Sequence, residues 1–86
     1  MIYKIIFDVK QEDGTSMSYT VLSVRHYNDG TISYITYTYG SDPYLYTCDN
    51  IAEAEAIKEY IINRSINVKG FHNLILDSVM IIPIID

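Results

Sequence analysis

The sequence predicts an α+β fold: a three-stranded antiparallel meander packed on one helix, plus a C-terminal edge strand, in the order βββαβ. Three observations predict it. Two Asp-Gly dipeptides separate stretches of alternating apolar residues in the first half of the chain. A helical period then runs from Ile51 to about Arg64. Near the end of the chain, "SVMIIPII" has apolar residues at both odd and even positions. An antiparallel sheet with one apolar face needs such a helix to cover it.

The Asp-Gly dipeptides, Asp13-Gly14 and Asp29-Gly30, mark two hairpin turns. This pair is favoured in two-residue type I′ turns because both central residues adopt positive φ angles. Two-residue turns in both places put one consistent apolar set on a single face, whereas a slip of one residue in one turn would scatter it. Three-residue loops are the alternative that the pattern leaves open.

Two-residue turns also fix the cross-strand pairs. They set Val24 opposite Ile35 and Ile5 opposite Leu22, and they continue to Leu22 opposite Tyr37 and Thr20 opposite Tyr39. The predicted core face carries Tyr3, Ile5, Phe7, Val9, Leu22, Val24, Ile35, Tyr37 and Tyr39. The predicted outer face carries Ile2, Lys4, Ile6, Tyr19, Val21, Arg25, Tyr27, Ile32 and Tyr34.

The helix begins after Asn50, which stands three residues before Glu53 in the spacing of a capping box. Its apolar stripe consists of Ala54, Ile57 and Ile61. The acidic residues Glu53, Glu55 and Glu59 lie away from that stripe. We therefore expect the isoleucines to pack on the core face of the meander.

The C-terminal part of the chain begins after a loop signal at Lys69-Gly70. "FHNLIL" fits either a short strand or a turn of helix. The last strand contains Pro83, which cannot donate a ladder hydrogen bond and so indicates an edge or a bulge. We expect this strand beside the first strand rather than beside the third.

Length and charge limit what the chain can be. Its 86 residues predict one domain over residues 1–86, and a net charge of −5 disfavours partners held through phosphates. The opening "MIYKIIFDVK" is interrupted by Lys4 and Asp8 and reads as a strand rather than a signal peptide. The single cysteine, Cys48, excludes an internal disulfide and fits a cytoplasmic protein.

Catalytic, metal-binding and nucleotide-binding motifs are lacking in the sequence, so we expect no enzyme activity, no cofactor and no metal. Cys48 precedes the helix N-terminus, where the dipole could lower a thiol pKa; the alternative is a small, half-buried residue. His26 and His72 are too few for a zinc site and are expected at the polar rim.

The candidate contact residues are mainly aromatic and acidic. Tyrosine and arginine are enriched in binding hot spots, and several of them on an exposed sheet face indicate a partner. The candidates are Tyr19, Arg25, Tyr27 and Tyr34 on the outer face, Tyr44 and Tyr46 in the loop, and Glu55 and Glu59 on the helix. The alternatives are that the C-terminal segment covers this face, or that tyrosine serves β-propensity alone.

The whole chain resembles the small acidic, isoleucine- and tyrosine-rich proteins that bacteriophages encode, including inhibitors of host enzymes and anti-defence proteins such as anti-CRISPRs. "MIYKIIFDVK", the "NDG" hairpin and "DPYLYTCDNIAEAEAIKEYI" carry the resemblance. It implies a protein that acts by binding, in the cytoplasm of a host cell if phage-encoded, and sometimes by presenting acids where a target expects phosphates.

Together these observations predict a non-enzymatic protein-binding module that inhibits or adapts a larger protein, with no direct nucleic-acid or membrane partner. The alternative is a self-associating structural protein that forms a homodimer through the outer sheet face.

Overall fold

The computed structural model describes residues 1–40, 46–64 and 71–84. The predicted α+β fold is confirmed, with an additional short strand before the last one. The elements are β1 (Ile2–Gln11), β2 (Ser16–His26), β3 (Ile32–Tyr39), α1 (Ile51–Arg64), β4 (Phe71–Leu74), a 3-10 helix (Leu76–Ser78) and β5 (Met80–Ile84).

β1 lies at the centre of the sheet, with β2 and then β3 on one side. β5 pairs with residues 2–6 of β1, and β4 pairs with residues 9–11, both antiparallel. Since both use the edge of β1 away from β2, they form one interrupted strand. The expectation that the last strand lies beside the first is confirmed.

The interruption between β4 and β5 is closed by a side chain. The Ile75 N–H donates to the Asp8 carbonyl at 2.9 Å, and the Asp8 N–H donates to the Ser78 hydroxyl at 2.8 Å. Ser78 replaces the backbone acceptor that a continuous strand would supply. The backbone of β1 therefore stays bonded across the break, as a partly buried peptide group requires.

Both hairpins have three-residue loops, so the prediction of two-residue turns is wrong. The Gln11 N–H donates to the Thr15 carbonyl at 2.8 Å, and the Gly14 N–H donates to the Gln11 carbonyl at 3.1 Å. The second hairpin repeats this arrangement between Tyr27 and Thr31. In each loop the glycine takes a φ of 90° as the third residue, typical of a type I turn followed by a bulge.

The longer first loop shifts β2 by one residue against β1. Phe7 lies opposite Tyr19, and Ile6 opposite Thr20. Tyr19 and Val21 are therefore buried, although both were predicted on the outer face. Leu22, predicted in the core, is 44% exposed.

Two bulges explain why part of the predicted register survives. Ser33 is an extra residue on β3 and Leu22 an extra residue on β2, so their shifts cancel. Between them Val24 pairs with Ile35, as predicted. Beyond Leu22 the partner of Tyr37 is Val21, and the partner of Tyr39 is Tyr19, so the predicted Leu22–Tyr37 and Thr20–Tyr39 pairs are wrong.

The helix has the predicted bounds and the predicted buried stripe. The Asn50 Oδ1 accepts the Ala52 N–H at 2.8 Å, which caps the first turn. The stripe residues Ala54, Ile57 and Ile61 are fully buried. They pack on a core formed by Ile5, Phe7, Val9, Tyr19, Val21, Ile35, Leu74 and Val79. Ile32 also packs against this core rather than on the predicted outer face.

An aromatic cluster closes the end of the core face. The Tyr19 ring stacks on Phe7, with centroids 5.9 Å apart, and meets Tyr37 edge-on at 5.7 Å. Tyr39 meets Tyr19 edge-on at 6.3 Å. Tyr39 thus lies on the predicted face, but it is 67% exposed, so its predicted burial is wrong.

Candidate functional site on the outer sheet face

A group of long polar and aromatic side chains lies on the outer face of the second hairpin. Arg25 and Tyr34 are direct cross-strand neighbours. Tyr27 lies two residues beyond Arg25 and therefore on the same face. Tyr34 is 50% exposed and Tyr27 61% exposed. Arg25 and Tyr34 thus keep the cross-strand positions that the predicted register gives them. We name the three residues the tyrosine–arginine patch.

A second group on the outer face is aliphatic. Ile5 is fully buried and pairs with Ile81, so residues an odd number of positions from either one point to the opposite face. The aliphatic and methionine residues among them are Ile2, Ile6, Met80, Ile82 and Ile84, which we name the apolar stripe. All five are half-buried or exposed. Leu22 adds a further exposed aliphatic side chain from β2.

Hydroxyl side chains separate the two groups. The Ser23 and Thr36 hydroxyls bond each other across β2 and β3. The Thr20 hydroxyl donates to the Gly40 carbonyl at 2.6 Å, and Thr20 is fully buried. The outer face thus carries the apolar stripe on β1 and β5, and mainly polar or aromatic side chains on β2 and β3, where Leu22 is an aliphatic exception.

Other predicted contact residues lie elsewhere. Tyr19 is only 7% exposed and cannot present its ring to a partner. Tyr44 lies outside the described residues. Tyr46 is half-buried against the core; burial, then the neighbouring Cys48 and Glu53, raise its pKa to about 12. Tyr46 is therefore only partly accessible to a partner.

The helix presents Glu55 and Glu59 to solvent, as predicted. Glu59 also borders a shallow groove of about 430 Å³ between α1 and the second hairpin. The apolar wall of this groove includes Ile32, Ala56 and Tyr60, and Glu53 lines it as well. The groove is therefore acidic at its rim and apolar on its wall.

One ion-pair geometry was missed by the sequence analysis. His26 Nε2 lies 2.9 Å from Glu53 Oε1, which joins the second hairpin to the first turn of α1. The Glu53 carboxylate thus contacts the second hairpin. In the predicted capping box it would instead bond back to the N–H of Asn50. The residues are 27 positions apart, and local spacing carries no signal for such a contact.

Cys48 has a structural position. Its backbone N–H donates to the Tyr3 carbonyl at 3.0 Å and its carbonyl accepts the Tyr3 N–H at 2.8 Å. It therefore extends the sheet where β2 no longer pairs with β1. Burial raises the pKa of the Cys48 thiol, so the thiolate that covalent catalysis requires is scarce at neutral pH.

Residues 1–40, 46–64 and 71–84 contain no group of three or more His, Cys, Asp or Glu side chains that could hold a metal ion. In the same ranges no helix has the length and apolar character needed to cross a membrane.

Comparisons with known proteins identify no relative. No family model, no curated protein and no solved structure matches the chain.

Proposed function

We propose that this chain is a non-enzymatic protein-binding module that inhibits or adapts a larger protein through its outer sheet face. The observation that carries the proposal is the tyrosine–arginine patch, in which Arg25 and Tyr34 stand side by side. These residue types dominate binding hot spots because they combine a large contact area with a polar end. The phage-like character of the sequence makes a bacterial enzyme or defence protein the proposed target class.

The apolar stripe supports the same proposal. Aliphatic side chains on an open sheet face are unusual, because such a face is normally polar where it meets water. Covering them gains roughly 25 cal/mol for each Å² of apolar area removed from water. A partner that spans both groups would bury the stripe and bind the patch through hydrogen bonds.

The test uses affinity capture from bacterial cells, followed by calorimetric titration of the captured partner. Tyr34→Ala and Arg25→Ala should each weaken binding, by about 2 kcal/mol if either is a hot spot. Leu76→Ala is the control, because Leu76 is an exposed apolar residue of the 3-10 helix and belongs to neither the patch nor the stripe. Equal affinity of all variants would contradict the proposed surface.

The acidic helix face is proposed as a second contact, with a basic region of the partner. Glu55→Lys combined with Glu59→Lys should slow association more than it speeds dissociation, because long-range charge acts mainly on encounter. Rising salt should weaken the wild-type complex. Affinity independent of salt would confine the contact to the sheet face.

A self-associating structural protein is the second candidate, and the apolar stripe favours it. Two copies joined through their outer faces would bury the stripe in both. Sedimentation equilibrium of Met80→Glu distinguishes the candidates. A wild-type dimer that this variant dissociates favours the structural protein, whereas a dimer unaffected by Met80→Glu argues against it.

A further inference from the structure

The outer edge of β3 carries backbone groups without a strand partner in the described ranges, where β3 pairs only with β2. The Gly40 N–H donates to the Ser18 carbonyl at 3.0 Å, so the peptide groups of Gly40 face β2. These groups alternate along an antiparallel strand. Those of Thr38 and Thr36 therefore also face β2. Those of Ile35, Tyr37 and Tyr39 point outward.

This edge lacks the features that usually prevent strand pairing. β3 reads "ISYITYTY", without a charged residue or a proline. Its bulge, Ser33, lies at the hairpin end and leaves residues 34–39 regular. The opposite edge differs, because β5 contains Pro83, which has no N–H to offer a further strand, and a 3-10 helix separates β5 from β4. Charges, prolines and interruptions are the usual protection of sheet edges, and β3 has none of the three within residues 34–39.

We propose that β3 pairs antiparallel with β3 of a second copy of this chain, about a two-fold axis at Tyr37. An antiparallel strand pair is self-complementary under such an axis. Although each copy carries a net charge of −5, the paired strands are uncharged, so no like charges meet directly.

The register follows from which groups are available. The Ser33 carbonyl already accepts the Tyr60 hydroxyl at 3.1 Å, so the pairing starts beyond it. An axis at Tyr37 uses all the outward residues: Tyr37 pairs with the partner's Tyr37, and Ile35 with the partner's Tyr39. On the outer face, Thr36 then lies opposite the partner's Thr38.

The exposed Tyr39 ring gives this register a packing rationale. It continues the aromatic cluster toward the free edge on the core face. In the pair it would cover the partner's Ile35, and aromatic with β-branched neighbours stabilise antiparallel strands. The dimer would also join two tyrosine–arginine patches on one continuous outer face. Dimerisation is a property of the purified chain and does not depend on the proposed binding function.

Cysteine cross-linking tests the register. In the Cys48→Ser background, Thr36→Cys and Thr38→Cys proteins are oxidised separately and as a mixture. Non-hydrogen-bonded neighbours have Cα atoms about 4.5 Å apart, within disulfide reach, whereas diagonal neighbours at about 7–8 Å are not. We expect a disulfide-linked dimer in the mixture and none in either separate sample. No dimer in the mixture, or equal amounts in a separate sample, would overturn the proposal.

Sedimentation equilibrium gives a second readout that needs no cysteine. A strand-edge interface is smaller than the standard size of about 1,600 Å², so the association should be weak and visible at high micromolar concentration. Tyr39→Glu, next to the partner's Ile35, should weaken it about tenfold or more. Leu76→Glu is the control and should leave it unchanged, because Leu76 is also exposed but lies in the 3-10 helix on the other side of the sheet from β3. A wild-type protein that stays monomeric at these concentrations would refute self-pairing. The β3 edge would then be available only to a strand of another protein.

Discussion

The two faces of the sheet carry similar residues in different environments. On the core face, Ile5 and Phe7 are fully buried beneath the helix. On the outer face, Ile6 alternates with them along the same strand and stays half-exposed. Apolar character alone therefore does not decide burial in this chain. The register does, because a shift of one residue exchanges the two faces of a strand.

β2 shows this most clearly, since both the predicted and the observed register place apolar residues of this strand on the core face. Before Leu22 the odd-numbered residues of β2 face the core, whereas after Leu22 an even-numbered residue, Val24, faces it. The bulge therefore changes which alternate residues of the strand pack into the core. It also turns Leu22 outward, where it joins the open face.

The largest test compares two tyrosines on opposite faces. Tyr19→Ala should lower the free energy of unfolding by about 3–5 kcal/mol, because Tyr19 stacks on Phe7 inside the core. Tyr34→Ala should cost less than about 1 kcal/mol, as for an exposed site. Urea unfolding measures both. Equal losses would mean that the outer face is also covered within the monomer.

The next test compares two neighbours on β2. Val21→Ala should cost about 2 kcal/mol, because Val21 is fully buried and its removal leaves a cavity. Leu22→Ala removes a larger side chain but should cost less than about 1 kcal/mol. A larger loss for Leu22→Ala than for Val21→Ala would instead support two-residue turns and the register that they imply. Denaturant midpoints of the two variants suffice to decide.

Most of the fold could be predicted because its signals are local. The helix from Ile51 to Arg64 follows from a cap at Asn50 and a period of apolar residues. The strand faces of β1, and of β3 beyond the bulge at Ser33, follow from alternation. The strand after residue 70 was ambiguous, because its sequence is short and fits two conformations.

The register of β2 could not be predicted, because it depends on one residue in each loop. Asp-Gly occurs in both two-residue turns and three-residue loops with a terminal glycine. Two-residue turns also gave a self-consistent apolar face, since Leu22 is as apolar as Val21. The bulges at Leu22 and Ser33 have no sequence signature of their own, as neither is a glycine.

The candidate site was predictable where it depended on the part of the hairpin between the bulges. Arg25 and Tyr34 lie in the stretch where the predicted and observed registers agree. Tyr19 lies beyond Leu22, where they differ, and it was misplaced for that reason. The His26–Glu53 contact depends on how the hairpin meets the helix, which no local pattern encodes.

A smaller effect concerns the one fully buried polar residue among those described, which lies on the outer side of β2. Thr20→Val keeps the shape of the side chain but removes the hydroxyl that donates to the Gly40 carbonyl. We expect a loss of about 1–2 kcal/mol, because the carbonyl then lacks that donor. Thr38→Val, directly opposite Thr20, is the control for the change of residue type. Matching losses in urea unfolding would show that the bond to Gly40 adds nothing.

The smallest effect is expected in the loops that fix the register of both faces. The Asp29 Oδ1 accepts the Thr31 hydroxyl at 2.6 Å and the Thr31 N–H at 2.9 Å. These bonds lower the pKa of Asp29 below its ordinary 3.8, so the folded chain binds this proton less readily than the unfolded chain. The resulting stability is present above about pH 4 and is lost as pH falls through the folded pKa.

Asp29→Asn retains an oxygen acceptor but removes the charge. Its urea midpoint should lie slightly below that of wild type at pH 7, and the two should converge on acidification. In a Thr31→Ala background the difference at pH 7 should shrink, because the hydroxyl partner is gone. A difference that grows toward pH 3 would have the wrong sign for a carboxylate stabilised by these bonds. In that case the loop charge would not contribute to holding the hairpin register.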